Sequence, residues 1–404
     1  MNSLFLRLLA VSLTLACLGA SRLPDAGAAD ATLIRARFLY TMNGPPQENV
    51  EILVRDNKVV GIGESIQPLG TYQVIDAHTV MPGLIDAYSS VGLRGGENES
   101  TREVTPEFET ASTIDWRSRD FREAVSEGVT SANIMPGTDN VIAGFACLVK
   151  TAGDDLSLNL ENRRIVQPHT GLAMAVCTDP TGGNRARTRP DSIYVRQPTN
   201  RMGVVWIIRS RLQAAKQAAS RLGELDEVSQ RLGKLLDGTT RAFGVSRTSF
   251  DIETLIALAE EFNFQPVLFG GHEAYKTVEL LRDKNVPVVY TAAAAGATVG
   301  EERTDLFWNT PGRLDAAGVS VCLAGGDLLN RARFAKRYGM DADSALQAIT
   351  TRPAALLGVG ERVGQVAPDF DADLIALDGP PLEFTSNVQW VMVEGQLLDL
   401  ENGE

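Results

Sequence analysis

The 404-residue chain is long enough for one large domain with a small companion, or for two ordinary domains. Its 44% apolar and 22% charged residues are normal globular usage and exclude a disordered or fibrous protein. The net charge is −13, and −14 without residues 1–29 (Arg7, Arg22 and Asp25, net +1), which argues against nucleic acid or an anionic membrane as partner.

In residues 1–29, Arg7 precedes an apolar run over 8–19, and Ala26, Gly27, Ala28 and Ala29 follow. A basic start, a short apolar stretch and small residues make a secretory signal peptide, with cleavage after Ala28 or Ala29. The expected destination is the periplasm or the extracellular space. Thr14-Leu15-Ala16-Cys17 matches a lipoprotein site poorly, because threonine is a weak first residue there, so a soluble product is expected. No later segment is apolar for long enough to predict a membrane span. Cys147, Cys177 and Cys322 remain after the leader; they are odd in number and lie in apolar runs, which predicts buried thiols rather than disulfides.

Residues 31–76 read as short strands at 31–40, 50–54 and 58–62, with a hairpin at Arg55-Asp56-Asn57. The texture returns at the C-terminus, with strands at 373–377 and 388–393 and a second hairpin at Glu394-Gly395-Gln396-Leu397. The two flanks, 30–79 and 361–404, are expected to meet as one small β-domain, a sandwich. Between them, residues 80–360 alternate strands and helices. Strand candidates fall at 80–85, 129–134, 143–149, 172–176, 241–245, 266–269, 286–290 and 319–323. Over 251–262, Ile252, Leu255, Ile256, Ala259 and Phe262 share one helical face, and 273–283 and 341–350 behave similarly. Eight buried parallel strands with helical crossovers predict an α/β fold, a (β/α)8 TIM-like barrel. The rival is an open doubly wound sheet, but no G-x-G-x-x-G follows any strand.

The segment Ile75-Asp76-Ala77-His78-Thr79-Val80-Met81-Pro82-Gly83-Leu84-Ile85-Asp86 resembles the entry strand of the amidohydrolase superfamily. Glu127-Gly128-Val129-Thr130 resembles its second strand. Ser344-Ala345-Leu346-Gln347-Ala348-Ile349-Thr350, with Pro353-Ala354 and Leu357-Gly358, resembles its last helix. Asp371-Ala372-Asp373-Leu374 resembles the return to the small domain. The likeness runs from about residue 31 to 400 and looks nearest to the exported, imidazolonepropionase-like branch. It implies hydrolysis of a C–N bond in an amide, cyclic amide or amidine. One or two divalent ions, zinc for example, would lower the pKa of a bound water at the barrel mouth.

The ligands for that metal are largely replaced. Where the family has His-x-His, the chain reads Tyr88-Ser89-Ser90; where the fourth strand offers a carboxylate it has Thr178, with Asp179 one residue on. The fifth strand ends at Gly244-Val245-Ser246-Arg247 instead of a histidine. His272 matches the sixth-strand histidine and Asp327 the eighth-strand aspartate, the catalytic proton shuttle by resemblance. The chain has three histidines in all, which rules out a four-histidine site. His78 belongs to the small domain, and His169 precedes a strand at the wrong end of the barrel. Asp179 and Lys150 are the remaining candidate ligands, although Lys150 also fits a plain strand end. No G-x-S-x-G or Cys-x-x-Cys supplies other chemistry; Ser89 or Ser90 beside His272 is the pairing to examine.

The readings separate on those ligands. The first is a degenerate member with no metal, a non-catalytic subunit that binds a small molecule at the mouth or pairs with an intact paralogous subunit in an oligomer. The second is an active mononuclear enzyme using His272 and Asp327 with one divalent ion. The third is metal-independent chemistry in the same pocket. Arg185, Arg187 and Arg189, in a segment with few acids, are candidate contacts for an anionic ligand.

Overall fold

The computed structural model describes residues 30–398 apart from 100, 154–163, 186, 188–189, 192, 194, 221–224 and 293–305. The leader expected at 1–29 and Arg189 lie outside the described residues.

β1 (Ala31–Leu39), β2 (Gln47–Arg55) and β3 (Lys58–Gly63) pair antiparallel in succession, and β4 (Tyr72–Pro82) returns parallel to β1. The β2–β3 turn places Asp56 in the left-handed region at φ 54°. β5 (Leu84–Ser89), α1 (Arg119–Ser126), β6 (Val129–Ile134), β7 (Ile142–Lys150) and β8 (Ile165–Ala175) follow. Next come α2 (Arg201–Ala219), α3 (Glu227–Leu236), β9 (Ala242–Ser246), α4 (Ser249–Phe262) and β10 (Pro266–Gly270). The barrel finishes with α5 (Val278–Asp283), β11 (Val288–Tyr290), α6 (Thr310–Ala316), β12 (Val321–Leu323), α7 (Leu328–Arg337), α8 (Ala342–Gln347) and α9 (Thr351–Leu356). β13 (Leu374–Leu377), β14 (Val388–Val393) and β15 (Gln396–Leu398) then rejoin β4.

The terminal flanks therefore share one seven-stranded sheet, in the order β15-β14-β13-β4-β1-β2-β3. The strands of both flanks are joined in one hydrogen-bonded sheet. The strand expected at 80–85 is two strands: β4 stays in this sheet as far as Pro82, and β5 opens the barrel after Gly83. Glycine is required at the break, because a Cβ there would sit 2.2 Å from Thr130.

β5 to β12 form an eight-stranded, TIM-like barrel sheet in sequence order. Seven strands run the same way. β7 does not, since it pairs antiparallel with both β6 and β8, which corrects the all-parallel expectation. The link over 135–141 is too short for the crossover that a parallel neighbour needs. The ring is nearly closed. At its seam Leu323 donates to the Ala348 carbonyl and Ile85 to that of Ile349, so the segment before α9 stands between β12 and β5.

The expected apolar face of α4 is buried, with Ile252 and Leu255 fully enclosed. Burying such a side chain is worth about 1.5–3 kcal/mol. Thr248 caps the helix by accepting the Asp251 N–H, and Asn263 ends it in the left-handed region. Inside the barrel, Phe243 and Phe269 pack with ring centroids 4.8 Å apart among small residues such as Ala146 and Ala175. Cys147, Cys177 and Cys322 are free and buried, and burial pushes the Cys147 and Cys322 thiols up to about 12.

Candidate functional site at the barrel mouth

The C-terminal ends of β5, β8, β9, β10 and β12 define the mouth. Arg247 leaves the end of β9 and meets Asp179, two residues past Cys177 on the β8 side. Nη1 donates to Oδ1 at 2.5 Å and Nη2 to Oδ2 at 2.6 Å, a fork-to-fork pair with both side chains largely buried. Thr138 donates its hydroxyl to the same carboxylate at 2.6 Å, and Nη1 lies 3.7 Å from the Cys177 sulfur. Both oxygens of Asp179 are thus held by donors from this chain.

Tyr88, at the end of β5, packs its ring 5.9 Å from that of Phe269 and joins the apolar filling of the barrel. Burial pushes its hydroxyl above the usual tyrosine value, partly offset by Arg247. Thr178 offers its carbonyl to both the N–H and the hydroxyl of Thr181, which shapes the short turn that presents Asp179. Ser89 accepts the Val91 N–H, and Ser90 is exposed.

His272 follows two left-handed glycines, Gly270 (φ 94°) and Gly271 (φ 61°), and is buried. A side chain at Gly270 would press against the Ser246 carbonyl at 2.9 Å. The next residue, Glu273, donates its N–H to the Arg247 carbonyl, which ties the end of β10 to that of β9. Asp327 also follows two left-handed glycines, Gly325 (φ 94°) and Gly326 (φ 76°), and is itself left-handed at φ 47°. It is exposed; its N–H donates to Glu127, and its carboxylate accepts from Asn330. Those partners lie over the β5–β12 seam.

Asp86 braces that seam. Its buried carboxylate accepts the N–H groups of Gly325 at 2.8 Å, Gly326 at 3.1 Å and Tyr88 at 3.1 Å. Burial nevertheless raises its pKa above the ordinary 3.8, because desolvation outweighs those donors. Arg331 closes the turn from the other side, donating to the Gly325 and Gly326 carbonyls. A cavity of about 380 Å3 opens here, lined by Asp86, Tyr88, Ser90, Glu123, Glu127 and Gly325.

Other candidates stand elsewhere. Because β7 is antiparallel, its C-terminal Lys150 lies at the opposite end of the barrel from the mouth. There its buried ammonium contacts Asp371 at 2.9 Å and also Asp373, joining barrel to terminal sheet. Burial alone would lower its pKa, but the two aspartates hold it above the usual lysine value. His169 lies within β8, 3.1 Å from Glu109 and over the Phe145 ring. His78 is on β4 in the terminal sheet, beside Phe38. Arg185 and Arg187 are exposed beyond the turn that carries Asp179.

These residues do not fit a divalent ion. Tyr88, Ser90 and Thr178 supply neither imidazole nor carboxylate, and Asp179 is held through both oxygens by a guanidinium that cannot lose its charge. Among the described residues no three His, Cys, Asp or Glu side chains gather as a metal-binding group. Sequence reading passed over Arg247, although its place at the end of strand five was the available signal.

Fold and mouth together define a TIM-like α/β barrel with its site at the strand ends. The Amidohydrolase family model matches residues 252–398. Amidohydrolase tasK of Hapsidospora irregularis is 25% identical over 359 residues, covering 78% of this chain; the chain spans about a third of that relative, 36% of its length. An amidohydrolase from Thermotoga maritima superposes with a TM-score of 0.80 at 28% identity, covering 91% of this chain and 99% of that one. A prolidase complexed with N-methylphosphonate-L-proline, 18% identical over 91% of this chain and 99% of its own, shares the fold at a TM-score of 0.56. Together these likenesses support membership of the amidohydrolase superfamily.

Proposed function

We propose that this chain is a superfamily member that has replaced metal-assisted hydrolysis with an internal ion pair, and that it works as a non-catalytic binding subunit. The observation carrying this reading is the Arg247–Asp179 pair. A guanidinium held by both carboxylate oxygens supplies the positive charge that a mouth with an aspartate would otherwise take from a metal. It also repels a divalent ion: at 4 Å, unit charges interact by about 4 kcal/mol at an effective dielectric of 20, and a double charge by more.

The ligand is a small molecule at the mouth, in contact with Tyr88 and the cavity beside Asp86 and Ser90. Export through residues 1–29 belongs to the same proposal. Screening the mature protein by thermal shift against amides, cyclic amides and the matching carboxylates tests it, with hydrolysis of each compound measured in parallel. Ligand stabilisation without turnover is expected. Zinc- or manganese-dependent turnover that is lost on substituting His272 or Asp327 would instead establish the mononuclear enzyme.

A further inference from the structure

The loop after β5 lies across the start of β7, where Val104 and Glu109 form isolated parallel bridges with Ile142 and Phe145. The Thr105 N–H donates to the Ile142 carbonyl at 2.9 Å, and that of Phe145 to the Phe108 carbonyl at 3.0 Å. The contact is so close that a Cβ on Gly144 would meet the Phe108 oxygen at 2.3 Å. The seated loop encloses a cavity of about 200 Å3, which shares no lining residue with the one beside Asp86. Its walls hold acceptors that the protein does not use. Glu97 Oε2 is buried without a hydrogen bond, and the carboxylate makes no ion pair among the described residues. Thr105 and Thr110 are 1% and 6% exposed, and neither hydroxyl has a partner among the described residues. Folded chains satisfy nearly all buried polar groups, so three unpartnered ones lining a single cavity point to an occupant. The neighbouring polar groups are spent: Glu99 accepts twice from Thr101, and Asn140 bridges Glu99 and Arg102. Arg102 is paired with Glu107 and Arg231 with Glu109, and no lysine or arginine is among the residues lining the cavity.

We infer that this cavity binds a small primary ammonium ion, an amine carrying a short aliphatic chain. An ammonium group has three N–H donors and no acceptor, which suits one carboxylate and two hydroxyls left without donors. Its charge answers that of Glu97. Leu93, Phe108, Pro136 and Ala143 give the aliphatic part an apolar wall. A bare metal ion needs oxygen ligands all round, about six to eight for calcium. That requirement conflicts with those apolar walls, and among the described residues no three His, Cys, Asp or Glu side chains gather to meet it. Water alone is a poor match as well. A single water takes roughly 10–15 Å3 of such space, far less than the cavity offers, and it leaves the Glu97 charge unpaired.

Isothermal titration calorimetry of the full-length mature chain with butylammonium chloride tests this, alongside butanol and the chlorides of potassium and calcium. A single saturable site per chain is expected for butylammonium and none for the other three. Glu97→Gln should weaken that binding by about tenfold or more, and Thr105→Val by about threefold or more. Both changes are nearly isosteric, and thermal unfolding confirms that the variants are folded. Glu123→Gln, in the cavity beside Asp86, should leave butylammonium binding unchanged. No butylammonium binding, binding indifferent to Glu97→Gln, or binding lost with Glu123→Gln alone would each overturn the inference. Equal binding of butanol, or of either metal ion, would overturn it too, since the occupant would then be an apolar group or an inorganic cation.

Discussion

The two terminal nitrogens of Arg247 stand 2.5 and 2.6 Å from the two carboxylate oxygens of Asp179, joining the end of β9 to the turn after β8. In a barrel of this superfamily those strand ends face the site of chemistry. The carboxylate is engaged on both oxygens by the guanidinium.

Removing one member of that pair should cost more than removing both. Arg247→Met leaves Asp179 charged and mostly buried with only the Thr138 hydroxyl, a loss of about 3–5 kcal/mol. Arg247→Met with Asp179→Leu should cost clearly less than the sum of the two single substitutions. Urea unfolding of the three variants measures this, and additive losses would show that the pair is not coupled.

Asp86 gives the mouth a pH signature. Its folded-state pKa lies above the usual 3.8, so the folded chain holds that proton more tightly than the unfolded chain. Its contribution is complete below 3.8 and is lost as pH rises through the raised value. The stability of the parent relative to Asp86→Asn should therefore fall with rising pH across that window. A difference independent of pH would contradict the burial argument.

At the opposite end of the barrel, Lys150 neutralises Asp371 and Asp373 in the junction with the terminal sheet. Lys150→Met should lower stability by about 3–5 kcal/mol, because it leaves buried carboxylates uncompensated. Lys58 and Arg362 also reach Asp371, so Asp373 is the more exposed to this loss. Loss within 1 kcal/mol of zero, about the median for a surface pair, would mean that water already solvates the cluster.

Gly83→Ala should destabilise the start of the barrel by about 1–3 kcal/mol or more, the usual range for overpacking. The added Cβ meets both branches of Thr130 at 2.2 Å. Thr130→Ala in the same chain should recover only part of the loss, since the Thr130 Cβ is still 2.7 Å away. Thermal unfolding of the single and double variants reports both effects, and full recovery would place the strain elsewhere.

Much of this fold was legible in the chain. The apolar runs marked the barrel strands, the spacing over 251–262 marked α4, and the hairpins at Asp56 and Glu394-Gly395 fell at left-handed residues. Strand direction was not legible, because an apolar run reads the same both ways; only the short 135–141 link held the clue to β7. At the mouth, the residue types at Tyr88, Ser90 and Thr178 could be read one position at a time. The ion pair could not, since Asp179 and Arg247 lie 68 residues apart and meet only in the folded barrel. The bracing role of Asp86 was hidden for the same reason: its partners, Gly325 and Gly326, come from the far end of the barrel.

The most direct test of the central claim is metal content by elemental mass spectrometry. The parent protein, purified without chelators or a histidine tag and then incubated with zinc or manganese, would be compared with Arg247→His. The expected result is no stoichiometric metal in the parent and a gain of zinc in the variant, which frees Asp179 and adds an imidazole at strand five. About one tightly held ion per chain in the parent, unaffected by Arg247, would contradict the account.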